Sequence, residues 1–255
     1  MRIIVTGGAT GIGAQLVHKL KQTGHHVTVL DIRQPDFEVD VYVPLNLADK
    51  MSIHAAVAAL KDSYDALCNV AGIAPVLGNG LKVLEINYLG TRLLTELVLP
   101  KLTPNAAIVN VASKAGEQWG QHLDQVTELL RLDSWSQLAD FQHKHELSDA
   151  RAYNLSKEAV IVWTKQLSTQ LLAQGMRVNS VSPAAVSTGL LNDFKHAFGD
   201  VVDKNLSRVG RAGLPEEVAD VVVYLLSPQS YWLKGIDICV DGGMGAAQLV
   251  DRLAS

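Results

Sequence analysis

The sequence predicts an α/β protein built on a mostly parallel, doubly wound sheet, and three observations point to it. Apolar strand patterns and amphipathic helix patterns alternate along all 255 residues, the order that crossover connections between parallel strands require. The chain opens with a strand, a glycine-rich turn, a helix and a second strand in immediate succession. No internal repeat, linker or low-complexity tract interrupts the alternation.

The opening unit can be justified residue by residue. An apolar strand from Arg2 to Val5 runs into Thr6-Gly7-Gly8-Ala9-Thr10-Gly11-Ile12-Gly13, and Ile12, Leu16, Val17 and Leu20 then recur at helical spacing up to a Gly24 stop. Val27 to Asp31 reads as the second strand. Gly7 can make the tight exit from the strand, Gly11 lets backbone approach a pyrophosphate, and Gly13 lets the helix pack on the sheet. The helix N-terminus offers unpaired N–H groups and partial positive charge to phosphates. Asp31, twenty residues after Gly11, can accept hydrogen bonds from both hydroxyls of an adenosine ribose and repel a 2'-phosphate. The expected cofactor is therefore NAD, although the spacing G-x-x-x-G-x-G differs from the more familiar G-x-G-x-x-G.

Further strands are expected at Val41 to Pro44, Asp65 to Val70, Ala106 to Val111, Met176 to Val181 and Ile236 to Asp241. Helices are expected at Asp49 to Leu60, Leu81 to Leu99, Tyr153 to Ala173 and Pro215 to Leu226, the last with Pro in its first turn followed by Glu216 and Glu217. Two segments break the rhythm. Residues 114–152 read as a helical insertion with amphipathic pieces at Leu123 to Leu132 and Trp135 to His145, Ser134 capping the second. Residues 184–214 read as a substrate loop with scattered apolar side chains, Leu190, Leu191, Phe194 and Phe198, at the carboxyl edge of the sheet. The whole chain is read as one domain.

Composition narrows the partners. A net charge of −4, with 26 acids and 22 bases and no basic cluster, argues against nucleic acid and anionic membranes. No apolar run approaches a membrane span, and the one after Arg2 is too short for a secretory signal core. Cys68 and Cys239 lie in strand-like stretches and form no C-x-x-C pair, so buried reduced thiols and a cytoplasmic setting are expected. Neither His25-His26 nor His143-Lys144-His145 stacks two ligands on one helical face, so no metal is expected.

Tyr153 and Lys157, four residues apart, share a helix face. A nearby ammonium and an oxidised nicotinamide would favour the phenolate, bringing an acid/base toward working pH. Ser113, ending a strand at the same sheet edge, could hold a carbonyl or alkoxide oxygen, or simply close a turn. Asn87, in an otherwise apolar helix, is either a satisfied structural bridge or part of a water relay.

These residues, with Asn69-Val70-Ala71-Gly72, Pro183, Thr188, Pro215-Glu216-Glu217 and Asp241-Gly242-Gly243, resemble the short-chain dehydrogenase/reductases in family order along nearly the whole chain. The resemblance implies a Rossmann-type, seven-stranded parallel sheet and a tetrad of Asn87, Ser113, Tyr153 and Lys157. In it Tyr153 is the acid/base, Ser113 polarises the substrate oxygen, Lys157 holds the ribose and lowers the Tyr153 pKa, and Asn87 supports a relay water. It also implies NAD contacts from Gly7, Thr10, Gly11, Ile12, Gly13, Asp31, Asn46, Leu47, Asn69, Ala71, Gly72, Tyr153, Lys157, Pro183, Val186 and Thr188. Three positions depart from the usual pattern. Val70 replaces an Asn, Asn46 stands where an Asp often contacts adenine, and Ala184 replaces a Gly, its methyl expected to narrow the nicotinamide face.

The length of the insertion resembles the 3α-hydroxysteroid dehydrogenase/carbonyl reductase branch and its coniferyl-alcohol dehydrogenase relatives. That implies an NAD(H)-dependent enzyme interconverting an apolar secondary alcohol, steroid-like or otherwise bulky, and its ketone, with a coniferyl-type aromatic allylic alcohol as the alternative. A non-catalytic nucleotide sensor is the remaining reading. The branch further implies a homodimer built by the segment from about Pro215 to Gly243. The pocket is expected between the 184–214 loop, Ala74-Pro75-Val76 and the insertion near Trp119.

Overall fold

A computed structural model of the chain describes residues 1–61 and 63–254. Seven strands, β1 (Arg2–Thr6), β2 (His26–Asp31), β3 (Val41–Pro44), β4 (Tyr64–Asn69), β5 (Leu102–Val111), β6 (Arg177–Pro183) and β7 (Asp237–Val240), form one sheet in the order β3-β2-β1-β4-β5-β6-β7. Every pairing is parallel. The order reverses between β1 and β4, and ligands of such sheets bind in the crevice beyond the carboxyl ends at that reversal. Thr6 stitches the crevice floor, its Oγ1 accepting from the N–H groups of Val70 at 3.0 Å and Ala71 at 3.1 Å.

Apolar helix faces bury both sides of the sheet. Helix α1 (Gly11–Gln22) turns Leu16, Val17 and Leu20 inward, and these share a core with residues of the later helix 215–226. The opposite face carries α2 (Lys50–Ala59), α3 (Gly80–Leu84), α4 (Thr91–Val98), α5 (Leu123–Leu130), α6 (Trp135–Lys144) and α7 (Asp149–Gln170). Val126, Leu129, Leu138 and Phe141 of the insertion are buried in that second core, so the insertion extends it. Ser134 caps α6 as expected, accepting from the Gln137 N–H at 3.3 Å.

Several expectations are corrected. The helix read as Leu81 to Leu99 is continuous from Gly80 to Val98, but it contains a π-helical turn at Glu85–Gly90. A Cβ on Gly90 would lie 2.0 Å from the Leu47 carbonyl oxygen, so backbone meets backbone there, and Thr91 Oγ1 donates to the Ile86 carbonyl five residues back. The helix read from Tyr153 begins a turn earlier, where Ser148 accepts from the Arg151 N–H. Residues 184–214 are not a loop but hold α8 (Leu191–Phe198) and α9 (Asp200–Val209), followed by α10 (Pro215–Leu226) and, at the end, α11 (Met244–Ala254). Leu190, Phe194 and Phe198 were already four apart, which is a helical stripe. Cys68 is buried but Cys239 is exposed, because β7 is an edge strand.

Candidate active site

At the amino end of the crevice the glycines are required by contact. A Cβ on Gly7 would lie 2.7 Å from the Ala71 Cα, and one on Gly13 only 2.0 Å from the Gly7 carbonyl oxygen. The N-terminus of α1 has no side-chain cap from Thr10 and no acid in its first turn. Its free N–H groups and partial charge thus face the crevice with no internal anion to neutralise them. Asp31 is anchored beside this turn: Oδ2 accepts from the Ala9 N–H and Oδ1 from the Arg33 N–H, each at 2.9 Å. Each oxygen keeps acceptor capacity beyond that bond.

The remaining residues expected around the nucleotide divide into two groups. Ile12, Gly72, Tyr153, Lys157, Pro183, Val186 and Thr188 line one cavity of about 790 Å³, and Ala184 lines it too. Thr188 closes over the glycine turn, its methyl 3.4 Å from where a Gly11 Cβ would be. Asn46, Leu47 and Asn69 stand outside that cavity. Asn46 Oδ1 accepts from the Ala48 N–H at 3.0 Å, Leu47 is buried, and the Asn69 amide donates to Thr95 Oγ1 at 2.9 Å and Asn110 Oδ1 at 2.8 Å.

Tyr153 and Lys157 project from α7 into the cavity, both buried, with the Ser113 side chain beside the Tyr153 phenol. Lys157 Nζ donates to the Val111 carbonyl at 3.0 Å and lies 5.9 Å from the Tyr153 ring centroid. Asn87 is a bridge: its Oδ1 accepts from the Ile73 N–H at 2.8 Å and its Nδ2 donates to the Ile73 carbonyl at 3.0 Å. Gly72 separates Asn87 from Lys157, since a Cβ there would lie 3.1 Å from Asn87 Oδ1 and 3.6 Å from Lys157 Nζ.

In the protein without a nucleotide, burial dominates both groups. Burial pushes the Tyr153 phenol up to about 12, against the smaller pull of the Ser113 side chain beside it. Burial also pushes the Lys157 ammonium down to about 8. In the protein alone Lys157 therefore does not bring the phenol toward working pH. Its Nζ is turned to a carbonyl, and desolvation outweighs it.

Two of the three expected walls line the cavity, the 184–214 segment and the start of the insertion around Trp119. Phe194 and Phe198 stand edge-on to the Tyr153 ring at 5.2 Å and 6.1 Å between centroids. Ile73 lines the cavity, whereas Ala74, Pro75 and Val76 do not, and Trp119 packs into the core. From the insertion around Trp119, Lys114, Glu117, Gln118 and His122 face the cavity. Among the described residues no group of three or more His, Cys, Asp or Glu is placed to hold a metal, and no helix is long and apolar enough to cross a membrane.

Known proteins are similar to this chain in sequence and fold. A family model described as short chain dehydrogenase matches residues 1–124, and one described as enoyl-(acyl carrier protein) reductase matches residues 137–245. Coniferyl-alcohol dehydrogenase of Pseudomonas sp. (strain HR199) is 32% identical over 247 residues, covering 96% of each chain. The chain belongs to the short-chain dehydrogenase/reductase family. Within this family it is also similar to 3-alpha-hydroxysteroid dehydrogenase/carbonyl reductase of Comamonas testosteroni, 30% identical over 260 residues and 96% of each chain. A crystal structure of 3-alpha-hydroxysteroid dehydrogenase from Pseudomonas sp. B-0831 complexed with NADH aligns at TM-score 0.85 and 29% identity, covering 97% of this chain and 98% of that one.

As a short-chain dehydrogenase/reductase the protein is an oxidoreductase. Sequence reasoning missed one part of its cavity, the wall made by Arg151, Asn154 and Glu158 with His122. A signal was present: Arg151, Asn154 and Glu158 fall at i, i+3 and i+7, one helical face beside that of Tyr153 and Lys157.

Proposed function

We propose that this protein is an NAD(H)-dependent oxidoreductase that interconverts an apolar secondary alcohol, steroid-like or otherwise bulky, and its ketone. One juxtaposition supports it above all: Ser113, Tyr153 and Lys157 line the same cavity as Ile12 of the glycine-turn helix and Thr188. The uncapped N-terminus of α1, held by a turn that packs backbone to backbone at Gly7 and Gly13, fits a pyrophosphate. Gly7, Thr10, Gly11, Ile12 and Gly13 would hold it, with Ala71, Gly72, Pro183, Val186 and Thr188 around the nicotinamide side. Asp31 would take the adenosine ribose, and Asn46, Leu47 and Asn69 would serve the adenine side. When bound, NAD supplies the hydride acceptor, or as NADH the donor.

The chain's own residues handle the proton. Tyr153 takes it from the carbinol oxygen in oxidation and returns it in reduction, while Ser113 holds that same oxygen. Lys157, released from the Val111 carbonyl, binds the ribose hydroxyls and adds positive charge beside Tyr153, opposing the burial that raises the phenol. Asn87 would support a relay water with the donor and acceptor capacity that its bridge to Ile73 leaves. Phe194 and Phe198 exclude bulk water from Tyr153.

Apolar side chains of α8 and α9, among them Phe194, Phe198, Val201 and Leu206, suit a bulky hydrocarbon body. A coniferyl-type alcohol is the second reading, favoured by the similarity to the Pseudomonas enzyme. The proposal includes a cytoplasmic setting, consistent with two free cysteines. It also includes a homodimer through the 215–243 segment, where Tyr224, Tyr231 and Ile236 are exposed and Trp232 is 90% exposed. A tetramer on sedimentation would remove that assembly.

Following NADH absorbance with a panel of alcohols, beside Tyr153→Phe, tests the chemistry. The substitution is expected to lower turnover by about 10²- to 10⁴-fold while nucleotide binding persists. Nucleotide binding with no turnover of any alcohol would instead support a sensor.

A further inference from the structure

The wall of the cavity missed from the sequence is unused by the chemistry above, yet it is highly organised. Glu158, 1% exposed, receives both ends of the Arg151 guanidinium, Nη1 on Oε1 at 2.7 Å and Nη2 on Oε2 at 2.8 Å. Gln125 Oε1 accepts from the same guanidinium at 2.7 Å and 3.1 Å, which fixes Arg151 in place. His122 Nδ1 stands 2.9 Å from Glu158 Oε1. A carboxylate already held by a guanidinium can only accept, so Nδ1 carries the hydrogen of this bond. In the neutral ring that leaves Nε2 as a hydrogen-bond acceptor, and it has no protein partner among the described residues.

A second acceptor lies on the same wall. Asn154 Oδ1 is buried without a hydrogen-bond partner, one helical turn before Glu158. A buried unpaired carbonyl oxygen is costly, so in a cavity wall it takes its donor from a water or, in its place, from a ligand. The charges of the wall cancel internally, Arg151 against Glu158 and Lys114 against Glu117. A carboxylate therefore finds no donor there, and a neutral hydroxyl supplies the hydrogen without the larger cost of desolvating an ammonium. What the wall lacks is a hydrogen to accept.

We infer that this wall is a subsite for a neutral hydroxyl, phenolic or aliphatic, remote from the reacting carbon, and that His122 Nε2 accepts its hydrogen. Glu158 is then a positioning residue that sets the tautomer and direction of the His122 ring. Glu158 lies five residues beyond Tyr153, about 7.5 Å of helix rise, roughly the reach of an arylpropenol or of several fused rings. The substrate class is thereby sharpened from an apolar alcohol to one with a second hydroxyl at its far end. This deepens the proposed alcohol dehydrogenase function and rests on it.

Matched ligand pairs test it: para-hydroxycinnamyl alcohol against its methyl ether, and a saturated 3α-hydroxysteroid with and without a hydroxyl on its far ring. Each is measured by kcat/KM with NAD and by calorimetric binding, on the intact protein and on His122→Leu. The half-exposed position of His122 allows the variant to fold. The intact protein is expected to favour the hydroxylated member of at least one pair by about tenfold, and His122→Leu to reduce that ratio to within about twofold. The pair that responds tells a phenol from an aliphatic hydroxyl. Equal constants within both pairs, or a preference that survives His122→Leu, overturn the subsite while leaving the dehydrogenase reading intact. A His122-dependent preference in binding without any turnover would keep the subsite and remove the dehydrogenase. Failure of all four ligands to bind removes the subsite.

Discussion

The two ends of the cavity are held by different forces. At the glycine turn, α1 buries Gly13, Leu16, Val17 and Leu20, and backbone touches backbone so closely that added methyl groups would collide with it. Over Tyr153, α8 has no buried residue and α9 only Val202. That covering pair is tied down by ion pairs at the surface, Lys195 to Asp203 at 2.8 Å and Arg208 to Asp251 at 2.5 Å. Exposed pairs contribute little to stability and are screened by salt. One end is thus a rigid mould, and the other is held by few buried side chains, so opening it for an entering ligand costs less.

Gly13→Ala should break this contrast most severely. Its Cβ would lie 2.0 Å from the Gly7 carbonyl oxygen, so either the turn or α1 must move. A loss of about 3 kcal/mol or more in stability and a greater than roughly tenfold loss of NAD affinity are expected by chemical denaturation and nucleotide titration. A variant with unchanged midpoint and affinity would show that the turn is no mould. Phe194→Ala probes the other end. KM for bulky alcohols should rise about tenfold from lost apolar contact, while the melting temperature stays near that of the parent. A large drop in melting temperature would mean that the cover is part of the core.

The smallest effect concerns Lys157, where the two ends meet. Burial holds its ammonium at about 8, below the ordinary 10.5, so between these values the unfolded chain binds the proton that the folded chain has released. Stability from this group therefore rises with pH from about 8 to 10.5. The intact protein should gain a few degrees in melting temperature relative to Lys157→Met across that window. A constant difference between the two would mean that the amine is well solvated after all.

Much of the fold was legible because its signals are local. The strand, glycine turn, helix and acid succeed one another within residues 2–31, and β3 begins and ends where its four apolar-rich residues do. Tyr153 and Lys157 were visible for the same reason, as four residues make nearly one turn. Other features were not. The π-helical turn at Glu85–Gly90 accompanies the meeting of Gly90 with Leu47, forty-three positions earlier in the chain. Cys239 has the same kind of apolar neighbours as Cys68, and only its place on the edge strand exposes it.

By itself, then, the order of residues determined the sheet, the glycine cradle and the pair of groups on one face of α7, since each depends on a backbone period of two or of 3.6 residues. The tertiary structure alone decided how those groups ionise and what surrounds them. Burial, which moves Tyr153 up and Lys157 down, is a property of packing from many segments, as is the meeting of His122 with Glu158 across thirty-six positions of chain. No local spacing carries that information, because desolvation and long-range contact exist only once the chain has closed on itself.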